Sequence, residues 1–521
     1  MGELGQRREA HPWIISIAVM IGTFMVVLDT TIVNVSLPHI AGNLSASVEE
    51  STWVLTSYLA ANAVILPITG WLATYFGRRR LLLLSVAGFT AASVMCGLST
   101  SLAMLVCWRI VQGITGGVLQ PLSQAIMLEV FDARDRGKAM AFFSVGVVVA
   151  PVLGPVLGGF LTDNYTWRWV FYVNLPVGVA AFLMLRAHVF DPPYLARSAS
   201  RIDYWGIGLL AVGIASLQIV LDKGQQDDWF SSDLIAGLSI VAVIGLAGFI
   251  WHALTAKNAV VNIRLFKEPT FAMGVAMITV QSVGLYGSLV LTPVLLQTLL
   301  GYPPLQAGFA MAPRGVGSLL VIPIVGMLIN RLDPRRMLAT GLLVNGLVMF
   351  WMSLLNLNAG YWDIFWPQIF QGVGMGMLFV PLTTISMDRM AQRDMGHATS
   401  LFNLLRNIGG SAGIAFTETV LARDQQFHVN VLGAHVSGYA ASTQSMLLGL
   451  RSAFVAGGSD MFTAANRAYA AVFGMVQKQA QLISFLHAFQ LLGMVFIVMI
   501  PLVFFMRKPR HHEEAGMMIG E

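Results

Sequence analysis

Charged side chains are scarce in this sequence: Asp, Glu, Lys and Arg make up 11% of its 521 residues, against about 25% in an ordinary soluble domain. With 56% of the residues hydrophobic, that shortage excludes a water-soluble globular protein and leaves a membrane protein. Cysteine is nearly absent too. Cys96 and Cys107 both fall inside apolar runs, so there is no disulfide framework and no redox pair, only two small core residues. No Gly-Lys-Ser/Thr phosphate loop occurs, which removes ATP as an energy source. No metal-ligand spacing is visible, since His511, His512, Glu513 and Glu514 read as a solvated tail; neither a metal nor a cofactor is expected. The first apolar run is too long for a signal-peptide core and lacks a small-residue cleavage site, so it is read as retained.

What the sequence has in abundance is runs of about 20 apolar residues, each able to span about 30 Å of hydrocarbon at 1.5 Å per residue. They fall near 14–37, 51–73, 81–99, 104–127, 139–161, 168–187, 204–222, 234–254, 271–297, 306–329, 338–357, 362–385, 397–420 and 482–505. This predicts an all-α membrane protein with fourteen transmembrane helices. If the chain starts in the cytoplasm, the inner loops hold 22 of the 31 Lys and Arg residues, the outer loops hold Arg168, Lys223, Arg423, Arg451, Arg467 and Lys478, and the spans hold Arg109, Arg314 and Arg406. The positive-inside rule then places both termini in the cytoplasm. The net charge of +5 is thus a matter of topology, and nucleic acid is not an expected partner.

The chain also repeats itself. GWLATYFGRRRLL at 70–82 returns as GMLINRLDPRRML at 326–338, QGITGGVLQPL at 112–122 returns as QGVGMGMLFVPL at 371–382, and the RGKA beginning at Arg136 meets the MGHA beginning at Met395. Gly, Pro and Arg carry the match rather than Leu. Six helices fill about the first 190 residues, so the repeat distance leaves two extra helices between the copies. The expected organisation is six plus two plus six: a bundle over 1–190, an inserted pair over 191–268, and a second bundle over 269–521. Parallel repeats of this kind mark transporters with the substrate site between the halves.

LDTTIVNVSLP (28–38), RIVQG (109–113), APVLGPVLGG (150–159), WRWVFYVNLPVG (167–178), LDKGQQDDWFSS (221–232) and LQTLLGYPPLQAG (296–308) resemble, in order and over nearly the full length, the major facilitator superfamily and within it the fourteen-helix drug:proton antiporters. The resemblance implies the major facilitator fold with two pseudo-repeated six-helix bundles in a bacterial inner membrane. It also implies export of small amphipathic compounds, with a periplasmic membrane-fusion adaptor and an outer-membrane channel as partners. The family's first cytoplasmic loop usually carries an acid where this chain has Thr74, so an inter-helix gating ion pair is not expected at that loop, although Gly70, Gly77, Arg78 and Arg79 remain.

Asp29 is the residue with the most chemistry. An ionised side chain inside a span costs at least about 2.5–3.5 kcal/mol. By helix rise Asp29 lies about 12 Å, and Arg109 about 8–10 Å, below the outer surface, so the two are predicted to pair. An acid whose water access and pairing change as the cavity opens to either side changes its proton affinity, which makes a coupling switch. Thr30, Thr31 and Asn34 lie within a turn of Asp29, and Gln112 shares the Arg109 face. Phe24, Met25, Asn34, Gln112, Gln281, Tyr286, Gln297 and Glu418 are the candidate substrate residues. Gly146, Gly154, Gly158 and Gly159 with Pro151 and Pro155 recur at three- to four-residue spacing, which predicts close helix packing, a hinge or a seal against the opposite half.

Between Leu421 and Gln481 the chain leaves the membrane for about 60 residues, a length usually tied to function. The reading is a proton-coupled exporter of amphipathic drugs that works by alternating access. A proton-coupled nutrient importer and a membrane sensor without transport are the alternatives.

Overall fold

The fold is described from a computed structural model, which covers residues 11–132, 135–191, 203–256, 259–329, 331–437 and 439–506. The basic residues Arg7, Arg8, Arg134, Arg197, Arg201, Lys257, Arg507, Lys508 and Arg510 lie outside the described residues. Among the described residues all regular structure is helical, the form in which a chain satisfies its own backbone polar groups in lipid. Twelve helices are long and apolar enough to cross a membrane: α1 Pro12–Asn43, α2 Trp53–Phe76, α3 Arg78–Gly97, α4 Leu102–Val130, α5 Arg136–Asn164, α6 Trp169–His188, α7 Tyr204–Lys223, α8 Asp233–Thr255, α9 Pro269–Leu299, α10 Gln306–Leu328, α12 Tyr361–Met387 and α15 Met461–Val503. Three further long helices are α11 Pro334–Met352, α13 Met395–His435 and α14 Ala441–Ala456.

Two expected spans, α11 and α13, therefore fall outside the apolar dozen, and their side chains explain why. α13 buries Asn403, Arg406 and Thr417, and it packs between α9 and α15 of its own half and against α4 and α2 of the other. A helix so enclosed meets little lipid and can carry polar groups aimed at neighbours. α11 buries Asn345 against its own Gly341 carbonyl and begins on Asp333, which caps its first turn. In contrast α8 rests chiefly on α7 and turns Ile240, Val243, Ile244 and Trp251 outward, a lipid-facing surface.

The two repeat halves approach most closely at one end of the bundle. A Cβ on Gly70, at the end of α2, would lie 2.7–2.9 Å from the backbone of Gly396 and His397 in α13, and one on Gly326 in α10 would lie 2.6 Å from the Ala141 Cβ of α5 and 3.3 Å from the Gly137 carbonyl. Gly70 matches Gly326, and Gly137 matches Gly396, in the repeated segments. The seal is thus made twice by one device, each half giving a glycine near the end of one helix to the other half's helix start. At the opposite end α13 and α15, with 41 and 43 residues, are about 60 and 65 Å long by helix rise and project well past the other spans. They carry α14 between them.

Candidate functional site

α1 delivers Asp29 into the interior of the first half, where it is fully buried. α4 brings Arg109 and Gln112, three residues apart on one face. Arg109 Nη1 donates to Asp29 Oδ2 at 2.6 Å and to Gln112 Oε1 at 2.8 Å, while Gln112 Nε2 donates to Asp29 Oδ1 at 2.9 Å. From α6, Asn174 Nδ2 donates to the same Oδ1 at 2.8 Å and to Ser93 Oγ of α3 at 3.0 Å. Arg109 Nε donates to the Val54 carbonyl at 3.0 Å, and its guanidinium lies 4.2 Å from the Tyr58 ring centre and 5.8 Å from that of Phe171. Five helices thus converge on one carboxylate. A buried ion pair survives only when further hydrogen bonds complete it, and the neutral amides do so here.

The pairing inferred from depth is present, and Gln112 completes it. Thr30 and Thr31 do not: their hydroxyls donate to the Val27 and Leu28 carbonyls of their own helix, and Asn34 is exposed. Asn174 and Ser93 were not anticipated. The signal was available in WRWVFYVNLPVG, because an amide placed in a span requires a buried partner.

The repeat makes the charge of this cluster stand out. Positions 288, 368 and 371, each 259 residues after 29, 109 and 112, hold Ser, Gln and Gln. Gln371 Nε2 donates to Ser288 Oγ at 2.9 Å, so the second copy keeps the glutamine link but has no ionisable side chain at these three positions. Gln368, in the place of Arg109, accepts from Arg314 Nε at 2.9 Å.

A cavity of about 1430 Å³, its open mouth included, lies between the halves. Thr30, Thr31, Val27, Ser144, Val147 and Pro151 line it from the first half; Gln281, Tyr286, Met311, Met375 and Phe379 line it from the second. Two cations face it, Arg314 and Arg406, and no carboxylate occurs among its described lining residues. Arg406 stacks near Phe379 at 5.5 Å, and both its Nη atoms reach the Gln120 amide oxygen at 3.0 Å in the orientation that satisfies the two side chains. Arg314 is buried, and its Nη1 and Nη2 have no hydrogen-bond partner, so two donors remain for whatever enters.

Of the eight substrate candidates, Gln281 and Tyr286 line this cavity, and the other six are absent from the lining. Gln112 is engaged with Asp29, Met25 is buried in the apolar core, and Phe24 is half-buried one turn below the cavity-lining Val27. Asn34 and Gln297 are exposed, and Glu418 is half-buried on α13 near Asp222, which accepts from Thr56. Residue type identified polar and aromatic positions in the spans, but not the direction in which each helix turns them.

The α5 stripe also differs from the expectation of a seal against the other half. A Cβ on Gly154 or Gly158 would collide with Thr31 or Ile32 of α1, in the same half, Gly146 abuts Met20, and Gly159 faces open space. Pro151 lines the cavity, and the Pro155 side chain lies outside the described residues. The inter-half contact is made one end lower, at Gly137. Near the end of α2, Thr74 bonds its own helix at the Trp71 carbonyl. An inter-helix ion pair is nevertheless present there: Arg78 Nη2 donates to Glu129 Oε1 of α4 at 2.8 Å, and the Arg79 N–H donates to Asp191 Oδ1 beyond α6 at 2.9 Å. Gly77 turns the chain with φ +82°, and a Cβ there would strike the same Asp191 at 2.7 Å.

The sequence profile described as Major Facilitator Superfamily matches residues 19–414. "Multidrug export protein EmrB" of Escherichia coli (strain K12) is 37% identical, covering 95% of both chains. "Fatty acid resistance protein FarB" of Neisseria gonorrhoeae is 35% identical over 97% of this chain and 98% of its own. Among solved structures, the proton:xylose symporter XylE superposes with a TM-score of 0.60 at 15% identity, covering 96% of this chain and 97% of that one. The human organic anion transporter MFSD10 gives 0.58 at 14%, covering 93% and 99%.

Proposed function

Because the chain belongs to the Major Facilitator Superfamily, we propose that it is a proton-coupled exporter of amphipathic compounds, with Asp29 as the proton carrier. It is a multi-pass membrane transporter and not an enzyme. The observation that carries the proposal is the Asp29 cluster: an acid out of water and held by one cation and two amides, yet next in sequence to the cavity-lining Thr30. Protonation removes the ion pair, and the Arg109 charge is then left to the Val54 carbonyl, Gln112 and the Tyr58 ring face, contacts that hold a cation without a counter-ion. Both protonation states therefore have a place in the same fold, as a coupling device requires. Each proton moving inward supplies about 2.3 kcal/mol per 100 mV.

Alternating access follows from the glycine seal. In this reading α11 and α13 also span, giving fourteen helices as six plus two plus six over 1–190, 191–268 and 269–521. Both termini then face the cytoplasm of a bacterial inner membrane, and the end closed by Gly70 and Gly137 is the cytoplasmic one. The projecting α13, α14 and α15 become the docking place for a periplasmic adaptor that leads to an outer-membrane channel. No cofactor is invoked. EmrB is named for multidrug export and FarB for fatty acid resistance; apolar walls with Arg314 and Arg406, and no acid among the described lining residues, favour amphipaths that bear an acidic group.

In proteoliposomes with an internal pH dye, adding an amphipathic drug should dissipate an imposed pH gradient in proportion to drug movement. Drug movement that leaves the gradient untouched contradicts coupling, and no drug-linked flux of either kind contradicts transport. The seal gives a second expectation. Overpacking costs about 1–3 kcal/mol, so Gly70→Val should shift the conformational balance away from the sealed state by about 5- to 150-fold. A cysteine introduced at Ser144 should then label faster from the cytoplasmic face; unchanged labelling would show that the glycine contact does not set the balance.

A further inference from the structure

The second half holds a cluster of titratable groups that the transport reading does not use. Asp424 and His428 stand at i and i+4 on α13 and so share one face. α15 crosses that face with His487. Each ring aims one nitrogen at the same carboxylate oxygen: His487 Nδ1 lies 3.0 Å and His428 Nε2 3.5 Å from Asp424 Oδ2. The ring centres are 5.2 Å apart, and the three ligand atoms all lie within 4.8 Å of one another. His428 Nε2 is buried without a hydrogen-bond partner, so the carboxylate does not satisfy both rings at once. A divalent ion between them would.

We propose that Asp424, His428 and His487 form a zinc site that fastens α13 to α15 where the two rods leave the bundle. Two imidazoles and a carboxylate are the ligand set of a borderline cation such as zinc, whereas calcium and magnesium take oxygen ligands. With zinc–ligand bonds of about 2.0–2.2 Å, neighbouring ligand atoms in a tetrahedron stand about 3.3–3.6 Å apart. The two distances to Asp424 Oδ2, 3.0 and 3.5 Å, lie within about 0.3 Å of that range, and the ring nitrogens are no more than 4.8 Å apart. Side-chain exposures of 24% for Asp424, 15% for His428 and 45% for His487 leave an approach for the ion and a fourth position for water. Bound there, the ion would fix the base of the exterior hairpin that α14 caps. This inference does not depend on the transport reading.

The test uses the full chain in nanodiscs, stripped with chelator and titrated with zinc chloride by calorimetry, with thermal unfolding in parallel. The wild type should bind one tight equivalent and unfold at a higher temperature with zinc. His428→Gln and His487→Gln should each weaken that equivalent by more than about 100-fold, since even outer-shell partners of a metal cost 10- to 100-fold. Their unfolding without zinc should match the wild type, because both positions are partly exposed. His511→Ala/His512→Ala, which removes the competing tail histidines, should leave the equivalent intact. Absence of a tight equivalent in the wild type, its persistence in both glutamine variants, or its loss in the tail variant instead would overturn the proposal.

Discussion

Asp29→Asn should abolish proton-driven export while keeping downhill exchange of substrate for substrate. An asparagine keeps the volume and one acceptor oxygen, which serves either Arg109 or the Gln112 and Asn174 amides but not both; the cavity between the halves lies outside this cluster, so cargo can still be swapped across it. What disappears is the site that binds a proton on one side and releases it on the other. For one proton per cycle this removes about 2.3 kcal/mol per 100 mV, equal to a fall of about 50-fold in the concentration ratio the protein can sustain. Breaking a buried pair from one side costs about 3–5 kcal/mol. The Tyr58 face, 4.2 Å from the Arg109 guanidinium, offsets part of that. The double variant Asp29→Asn/Arg109→Gln should recover stability and still fail to couple. Uphill uptake and counterflow in the same vesicles separate the two outcomes, and uphill transport at the wild-type level in the single variant would exclude Asp29 as the carrier.

Arg314→Gln should split substrates by charge. In the protein as folded, Nη1 and Nη2 of Arg314 have no partner while Nε is held by Gln368 at 2.9 Å, so the side chain is oriented and its free donors wait for an acceptor. A hydrogen bond to a charged group contributes about 1.5–3 kcal/mol, which predicts a loss of about 10- to 150-fold in affinity for an amphipathic carboxylate. A neutral drug of similar size should lose little, because its binding rests on the apolar walls. Equal losses for both would mean that Arg314 supports the fold of the cavity rather than its choice of cargo.

How much of this was legible in the sequence varies with the physics involved. Twelve of the fourteen expected spans were legible because lipid demands long apolar helices, and the pairing of Asp29 with Arg109 was legible because two opposite charges at similar depth have few other places to go. The repeat was legible from Gly, Pro and Arg. What could not be read was direction around the helix axis in a bundle buried on nearly all sides: Gln112 and Gln281 look alike as glutamines in spans, yet one holds Asp29 and the other faces the cavity. The α5 glycines likewise announced close packing but not their partner, which is α1. Asp424 and His487 are 63 residues apart, and only the crossing of α13 and α15 brings them together.

Asymmetry between the repeats supports a single coupling site. The second half retains Gln371 bonded to Ser288 where the first has Gln112 bonded to Asp29, so the helix geometry is duplicated but the charge is not. Restoring a carboxylate there, as Ser288→Asp, should destabilise the protein, because the place of Arg109 holds the neutral Gln368, whose oxygen is already bonded to Arg314 Nε, and a buried charge that lacks a well-formed pair costs several kcal/mol. Thermal unfolding of that variant checks it, and unchanged stability would mean that this position is reached by water.

The most direct measurement is proton release on substrate binding to the purified protein, read by calorimetry in two buffers of different ionisation enthalpy. The account predicts binding heats that differ by the value for one released proton in the wild type and coincide for Asp29→Asn. Heats that coincide in the wild type, or still differ in the variant, would contradict it.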